Sequence, residues 1–350
     1  MSLKDRNSNK KHQTSLYSYS EADGSIRRRS MSTVAKKQKA RNPLEESWGR
    51  RTLNAMRAHW QIYIIILLPI VWYAIFAYMP MAGLQLAFKK YMPRRGIWGS
   101  PWVAFKNFQN VFIDPAFLRS VWRTLSINIL RLVFVFPFPI ILALLLNEMK
   151  AKRYKSVLQT VMTFPHFLSW VIVSSILTNV LSADGLANSV IRMLGGRTVD
   201  FLGSEKLFQP MLYITDIWKS SGWSMIVYLA AISGIDQDQY EASEIDGANH
   251  WQKMIYITIP NLMPTIIVMF ILATGSLMSA GFDQIFNLSN SATKNVAEIL
   301  DMYIYRITFQ TAPDYGLSTA ISLMRSVVNM TLLLLADRGS KLMGGNGLFA

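Results

Sequence analysis

Five acids crowd a short polar interval between two apolar runs: Asp236, Asp238, Glu241, Glu244 and Asp246, with Lys253 as the one nearby lysine. The heart of the interval reads Tyr240-Glu-Ala-Ser-Glu-Ile-Asp-Gly-Ala-Asn-His250, and Ile257-Thr-Ile-Pro260 follows it. Such a defined helix-then-turn pattern is best explained as a surface that docks onto another chain. Other chemistries lack their groups. The chain has no cysteine, which excludes disulfides, thiolate metal sites and cysteine nucleophiles. Its four histidines (His12, His59, His166, His250) are isolated, so no zinc spacing exists. A membrane-embedded enzyme would need a constellation of histidines or carboxylates, and these scattered ones do not form it. There is no G-x-x-x-x-G-K-[ST] phosphate loop, so any nucleotide energy is bound by another chain.

The acidic interval has a readable geometry. Asp236 or Asp238 caps a helix start. Glu241 shares a face with Glu244 and Ile245, three and four residues on. Gly247 ends the helix in the left-handed conformation. A second helix is expected to gather Trp251, Met254, Ile255 and Ile259 on one side. Pro260 and Pro264 then bend the chain into the next apolar run. The expected result is a short helix on a membrane surface, tied to a long lever.

The elements around it call for lipid. Of 350 residues, 51% are hydrophobic and 16% charged, against about 25% charged in soluble domains. Six apolar stretches are expected to be membrane-spanning helices, because open sheet edges cannot be satisfied in lipid. They are residues 62–78, 125–146, 157–181, 211–232, 265–285 and 317–336. The net charge is +15, and residues 1–58 hold fourteen Lys or Arg against five Asp or Glu. That tail reads as disordered and cytoplasmic, in contact with anionic lipid. No basic stripe interleaved with aromatics follows it, which argues against nucleic acid. With the tail inside, twenty-one Lys or Arg fall on its side and twelve on the other, so both ends are expected in the cytoplasm. The first outer loop dissents with Lys89, Lys90, Arg94, Arg95, Lys106, Arg119 and Arg123.

Glu241-Ala242-Ser243, Asp246-Gly247-Ala248, Ile257 and Ile259-Pro260 resemble the EAA loop of ABC-importer permeases. That family's loop carries Glu-Ala-Ala, then Gly, then Ile-x-Leu-Pro; here Ser243 stands for the second Ala and Ile259 for Leu. Further stretches resemble the oligo- and polysaccharide branch: Tyr78-Met-Pro-Met-Ala-Gly83, Trp98-Gly-Ser-Pro-Trp102, Phe105-Lys-Asn-Phe108, Ala143-Leu-Leu-Leu-Asn147-Glu148 and Gly281-Phe-Asp-Gln-Ile-Phe286. The similarity covers about residues 60–350 and leaves out the tail.

The resemblance implies an all-α membrane protein of six helices with the type I importer permease fold. It divides the chain into a basic tail (1–58), a first helix with its outer loop (59–120), a five-helix permease domain (121–337) and a short cytoplasmic end (338–350). It implies a second permease, two ABC ATPases and an extracellular or periplasmic solute-binding protein as partners, in a bacterial cell membrane. ATP and Mg would lie on the ATPases; this chain would bind no cofactor or metal and catalyse nothing. Glu241 would face a basic group in an ATPase cleft, and Gly247 would make the turn.

Sugar sites need aromatic faces and hydroxyl-binding amides or carboxylates. Trp170, Trp218, Trp223, Tyr228, Asp283, Gln284 and Asn287 are the candidates along the path. Arg131 and Arg325, lying inside apolar runs, should face the bundle interior. The rival reading is a carrier driven by an ion gradient. It would want paired acids deep in the spans, whereas the acids here read as clustered in loops.

Overall fold

The computed structural model describes residues 58–279, 281–310, 313–342, 344–345 and 347–349. The expected disordered tail lies outside them, save residue 58. The chain divides into two units, Met1–Pro80 and Met81–Ala350.

The first unit contributes α1 (Trp60–Tyr73), none of whose side chains is buried. A helix apolar all round and open on every face is suited to lipid. Pro69 lies inside it, and a π turn (Ala74–Tyr78) follows.

The second unit is helical, and its described residues contain one isolated bridge, Lys89 to Trp102, and no strand. Its helices are α2 (Lys106–Ile113), α3 (Pro115–Phe134), α4 (Pro137–Asn147), α5 (Lys152–Thr163), α6 (Trp170–Leu181), α7 (Leu186–Met193), α8 (Glu205–Ser233), α9 (Gln237–Ile245), α10 (Ile259–Thr274), α11 (Phe282–Leu288), α12 (Leu300–Tyr305) and α13 (Tyr315–Leu342).

Prolines set where spans break and where they merely widen. The expected span 125–146 is two helices, α3 and α4, parted before Pro137. The expected span 157–181 breaks at a 3-10 turn through Pro165, because proline brings no N–H to continue the ladder. The expected span 265–285 ends at Thr274; after a turn, α11 is a separate short helix entered through Gly281 at φ +70°. At Pro260 the helix does not break. A π turn (Met254–Thr258) joins the helical turn His250–Lys253 to α10. Each of the π turns at 74–78, 254–258 and 306–310 is followed within three residues by a proline. A proline ring crowds the carbonyl four residues back. For Pro80 and Pro260 that carbonyl belongs to Phe76 and Tyr256, each within its π turn, where a widened turn relieves the crowding.

Among the described residues, five stretches are long and apolar enough to cross a membrane: Trp60–Phe88, Pro115–Asn147, Trp170–Met193, His250–Thr274 and Tyr315–Leu342. The remaining expected span, 211–232, falls in α8, which has 29 residues, or about 43 Å. It is less apolar, carrying Asp216 and Lys219, whose polar groups find partners within the protein. Twelve of its residues are buried, spread along its length. Its two ends anchor two clusters: Phe208, Met211 and Leu212 meet Ile127 of α3 and Ile285 of α11, while Met225, Tyr228 and Leu229 meet Leu144 of α4 and Leu262 of α10. Gly222 lets α5 approach closely; a Cβ there would overlap the Met162 carbonyl. A third cluster joins Phe117 of α3, Tyr303 of α12 and Ile321 of α13.

Candidate functional site: a moored surface helix and a buried polar network

α9 begins at Asp236, whose carboxylate accepts the Asp238 amide at 3.1 Å. It ends in a Schellman turn: Ala248 N–H donates to Ser243 O at 2.9 Å and Gly247 N–H to Glu244 O at 3.1 Å. Gly247 takes φ +79°, a value that disfavours a side chain. Asn249 at once starts the next helix by a capping box with Gln252 (2.8 and 2.9 Å). Turn and restart are thus written into consecutive residues.

Three polar ties moor α9 to the following helix. The Tyr240 hydroxyl and Thr258 Oγ1 lie 3.0 Å apart, Asn261 Nδ2 donates to Gln239 Oε1 at 2.9 Å, and Lys253 Nζ meets Glu244 Oε1 at 2.5 Å. Lys253 holds the Glu244 carboxyl below the usual carboxylate range, by hydrogen bond and then by charge. His250 Nδ1 reaches Glu148 at 3.3 Å, adding a link to the end of α4. The Tyr240 ring packs against the Leu144–Leu262 cluster.

Of the motif residues, Glu241, Ala242, Asp246, Gly247 and Pro260 are exposed; Ser243, Ala248 and Ile257 are half-buried. Ile245 is 88% exposed. The expected cluster of Trp251, Met254, Ile255 and Ile259 does not form. Met254 and Ile259 turn inward with Ile257, whereas Trp251 and Ile255 stay exposed. The π turn shifts the periodicity on which that expectation rested.

The structure scatters most of the candidate path residues. Trp218 and Trp223 face outward, and Trp223 stacks on His166 at 4.7 Å. Tyr228 is buried in the core and offers no open ring face. Trp170 lies 5.5 Å below the Lys219 ammonium, which donates to His166 O at 2.8 Å. Asp283 is exposed, and its carbonyl accepts Asn287 Nδ2 at 2.7 Å. Arg325 pairs with Asp301 of α12. Lys89 is a structural residue: it is buried, donates to Ile97 O at 2.9 Å, and lies 4.8 Å over Trp102.

Two path candidates do meet. Arg131 on α3 donates to Gln284 Oε1 on α11, and its Nε lies 3.3 Å from Asp216 on α8. Gln284 donates in turn to Leu212 O (2.8 Å) and Thr215 Oγ1 (2.9 Å) of α8. Asn128 Nδ2 reaches Leu277 O at 2.6 Å. Gly281 leaves room for the guanidinium; a Cβ there would lie 3.1 Å from Arg131 NH1. The network staples the short α11 to two long helices, beside a cleft of about 250 Å³ lined by Arg131, Phe136 and Ser276. Sequence reasoning missed Asp216, Asn128 and Thr215. Asp216 also corrects the expectation that acids lie only in loops, although its neighbour is an arginine and not a second acid. A second missed feature is a file of aromatic rings, Phe282, Phe286, Tyr305 and Phe309, with successive centroids 5.1 to 5.5 Å apart.

Helices with apolar outer faces, a polar network inside and a moored surface helix define a multi-span membrane protein. Residues 135–341 match the family described as binding-protein-dependent transport system inner membrane component, and the chain belongs to that family. It is 40% identical to Protein LplB of Bacillus subtilis over 91% of this chain and 100% of that one. It is 39% identical to the polygalacturonan/rhamnogalacturonan transport system permease protein YteP of the same organism, over 82% and 90%. A solved chain of a bacterial ABC transporter involved in the import of the acidic polysaccharide alginate superposes with a TM-score of 0.76 at 36% identity, covering 84% of this chain and 99% of that one. The same TM-score, at 35% identity, holds for a complex with alginate pentasaccharide-bound periplasmic protein.

Proposed function

We propose that this chain is a permease subunit of a binding-protein-dependent ABC importer for oligo- or polysaccharides, with acidic saccharides as the favoured class. It works with a second permease, two ATPases that bind ATP and Mg, and a solute-binding protein. The names of its relatives support the substrate class. The Lys and Arg distribution supports cytoplasmic ends, which puts α9 on the ATPase side.

The observation that carries the mechanism is the mooring of α9. An exposed helix joined to the next span by three polar ties and one capping turn moves with that span. A docked ATPase that closes on ATP then displaces α9, and the spans rock between two access states. Glu241 and the exposed Ile245 present the docking face. Arg131 and Gln284 hold α11 at the bundle interior beside the path, with Asp283 and Asn287 on the same short helix.

The test is uptake. Binding a glycan panel to the cognate binding protein selects the saccharide, and cells lacking this chain should fail to take it up. Undiminished uptake in those cells contradicts the reading. Against an ion-driven carrier, uptake should require ATP in reconstituted vesicles and ignore dissipation of the ion gradient.

A further inference from the structure

A cationic cleft of about 380 Å³ opens between the start of α3 and the segment after α11, lined by Arg119, Arg123, Lys294, Asn295, Glu298 and Arg306. The acids nearby are already engaged. Glu298 Oε1 accepts from Arg306 Nε at 2.9 Å and lies 2.7 Å from its NH2. Asp114 accepts the Tyr303 hydroxyl at 2.6 Å and the Ala116 amide at 2.8 Å. Glu205 accepts Asn295 Nδ2 at 3.3 Å. Among the described residues, Arg119, Arg123 and Lys294 have no carboxylate within ion-pairing distance.

Like charges gathered round one concavity repel, and an anion in the concavity offsets that cost. With the orientation proposed above, the cleft lies on the outer face, the side that normally collects fewer lysines and arginines. Topology therefore does not account for the cluster; a ligand does. Arg119 and Arg123 are one helical turn apart, so both guanidinium forks can reach one bound molecule. The cleft falls in the size range of small-molecule sites, about 300–1,000 Å³.

We propose that this cleft receives the carboxylates of an acidic oligosaccharide as it passes from the binding protein into the spans. Arg119 and Arg123 take the uronate carboxylate, Lys294 adds charge, and Asn295 and Glu298 meet ring hydroxyls. The inference rests on the acidic-saccharide reading above. An acidic side chain of the binding protein carries the same charge, but a recessed concavity suits an inserted sugar unit better than a docking rim.

The test uses the assembled importer in nanodiscs without binding protein, with trigalacturonate and its fully methyl-esterified form as probes. Wild type should bind the acid more tightly than the ester, with affinity falling as NaCl rises. The Arg119→Gln/Arg123→Gln variant should weaken the acid by about tenfold or more and leave the ester unchanged. Arg119→Lys/Arg123→Lys, which keeps charge and loses the fork, should be intermediate; it serves if the Gln variant does not assemble. Equal binding of acid and ester by wild type, or wild-type acid binding by either variant, overturns the proposal. So does a variant that loses affinity for the binding protein while keeping the acid. An importer that takes up a neutral saccharide and refuses trigalacturonate defeats the acidic-saccharide reading itself; uptake of trigalacturonate with unaltered binding in the variants defeats the cleft alone.

Discussion

At the scale of single residues, the decisive pair is Arg131 with Asp216. A charge within an apolar helix is costly unless paired, so the presence of Arg131 in the sequence already demanded a partner. Its identity is hidden in the sequence because Asp216 lies 85 positions away, on a different helix. Arg131→Met should leave Asp216 and Gln284 without it and destabilise the purified complex by about 3–5 kcal/mol, read as a lowered melting temperature. Adding Asp216→Leu should recover part of the loss. A single variant as stable as wild type would show that the pair contributes little. The Glu244–Lys253 pair makes a pH prediction. The Glu244 carboxyl is depressed in the folded state, so its contribution is full above the ordinary carboxylate pKa of about 4.3. That contribution disappears as pH falls through the folded value. Protection of the α9 amides, corrected for the intrinsic pH dependence of exchange, should therefore be steady near neutrality and fall on acidification, and Lys253→Met should remove the pair's share of that loss.

Among the elements, α9 and its turn were largely legible. Asp236 or Asp238 as cap and Gly247 as left-handed terminator follow from residue type, and the structure takes Asp236 and Gly247. The spans were legible as apolar runs but not in their breaks. Prolines at 137, 165 and 260 are equally visible in sequence, yet two part helices and one sits after a widened turn. No sequence pattern displayed the close approach of α5 to α8 at Gly222, which depends on tertiary contact. Gly222→Ala should force those helices apart, costing about 1–3 kcal/mol. At Gly247 a Cβ meets nothing within 4 Å, so the cost of substitution there is backbone strain alone. Gly247→Val should cost about 1–2 kcal/mol locally and reduce uptake, while Gly247→Asn, which tolerates left-handed φ, should be mild. Equal uptake by both variants would remove the turn from the coupling account.

For the molecule as a whole, the account joins a pushed surface helix to a bundle stapled at its interior. Membership of the transport family is established by the match over residues 135–341 and by relatives aligned along nearly their full length. The proposed direction of force runs from an ATPase into α9, through the Schellman turn and its three ties, into α10. Glu241→Lys should uncouple ATP hydrolysis from uptake without preventing membrane insertion. The chain contains no cysteine, so one introduced thiol is the only one on this subunit. The most direct measurement places it at Ile245, the most exposed apolar residue of α9, in vesicles carrying the full importer. The account predicts labelling from the cytoplasmic side only, and a short-span crosslink to the ATPase whose yield changes when ATP is added. Labelling from outside, or no crosslink to any ATPase face in an assembled complex, would contradict it.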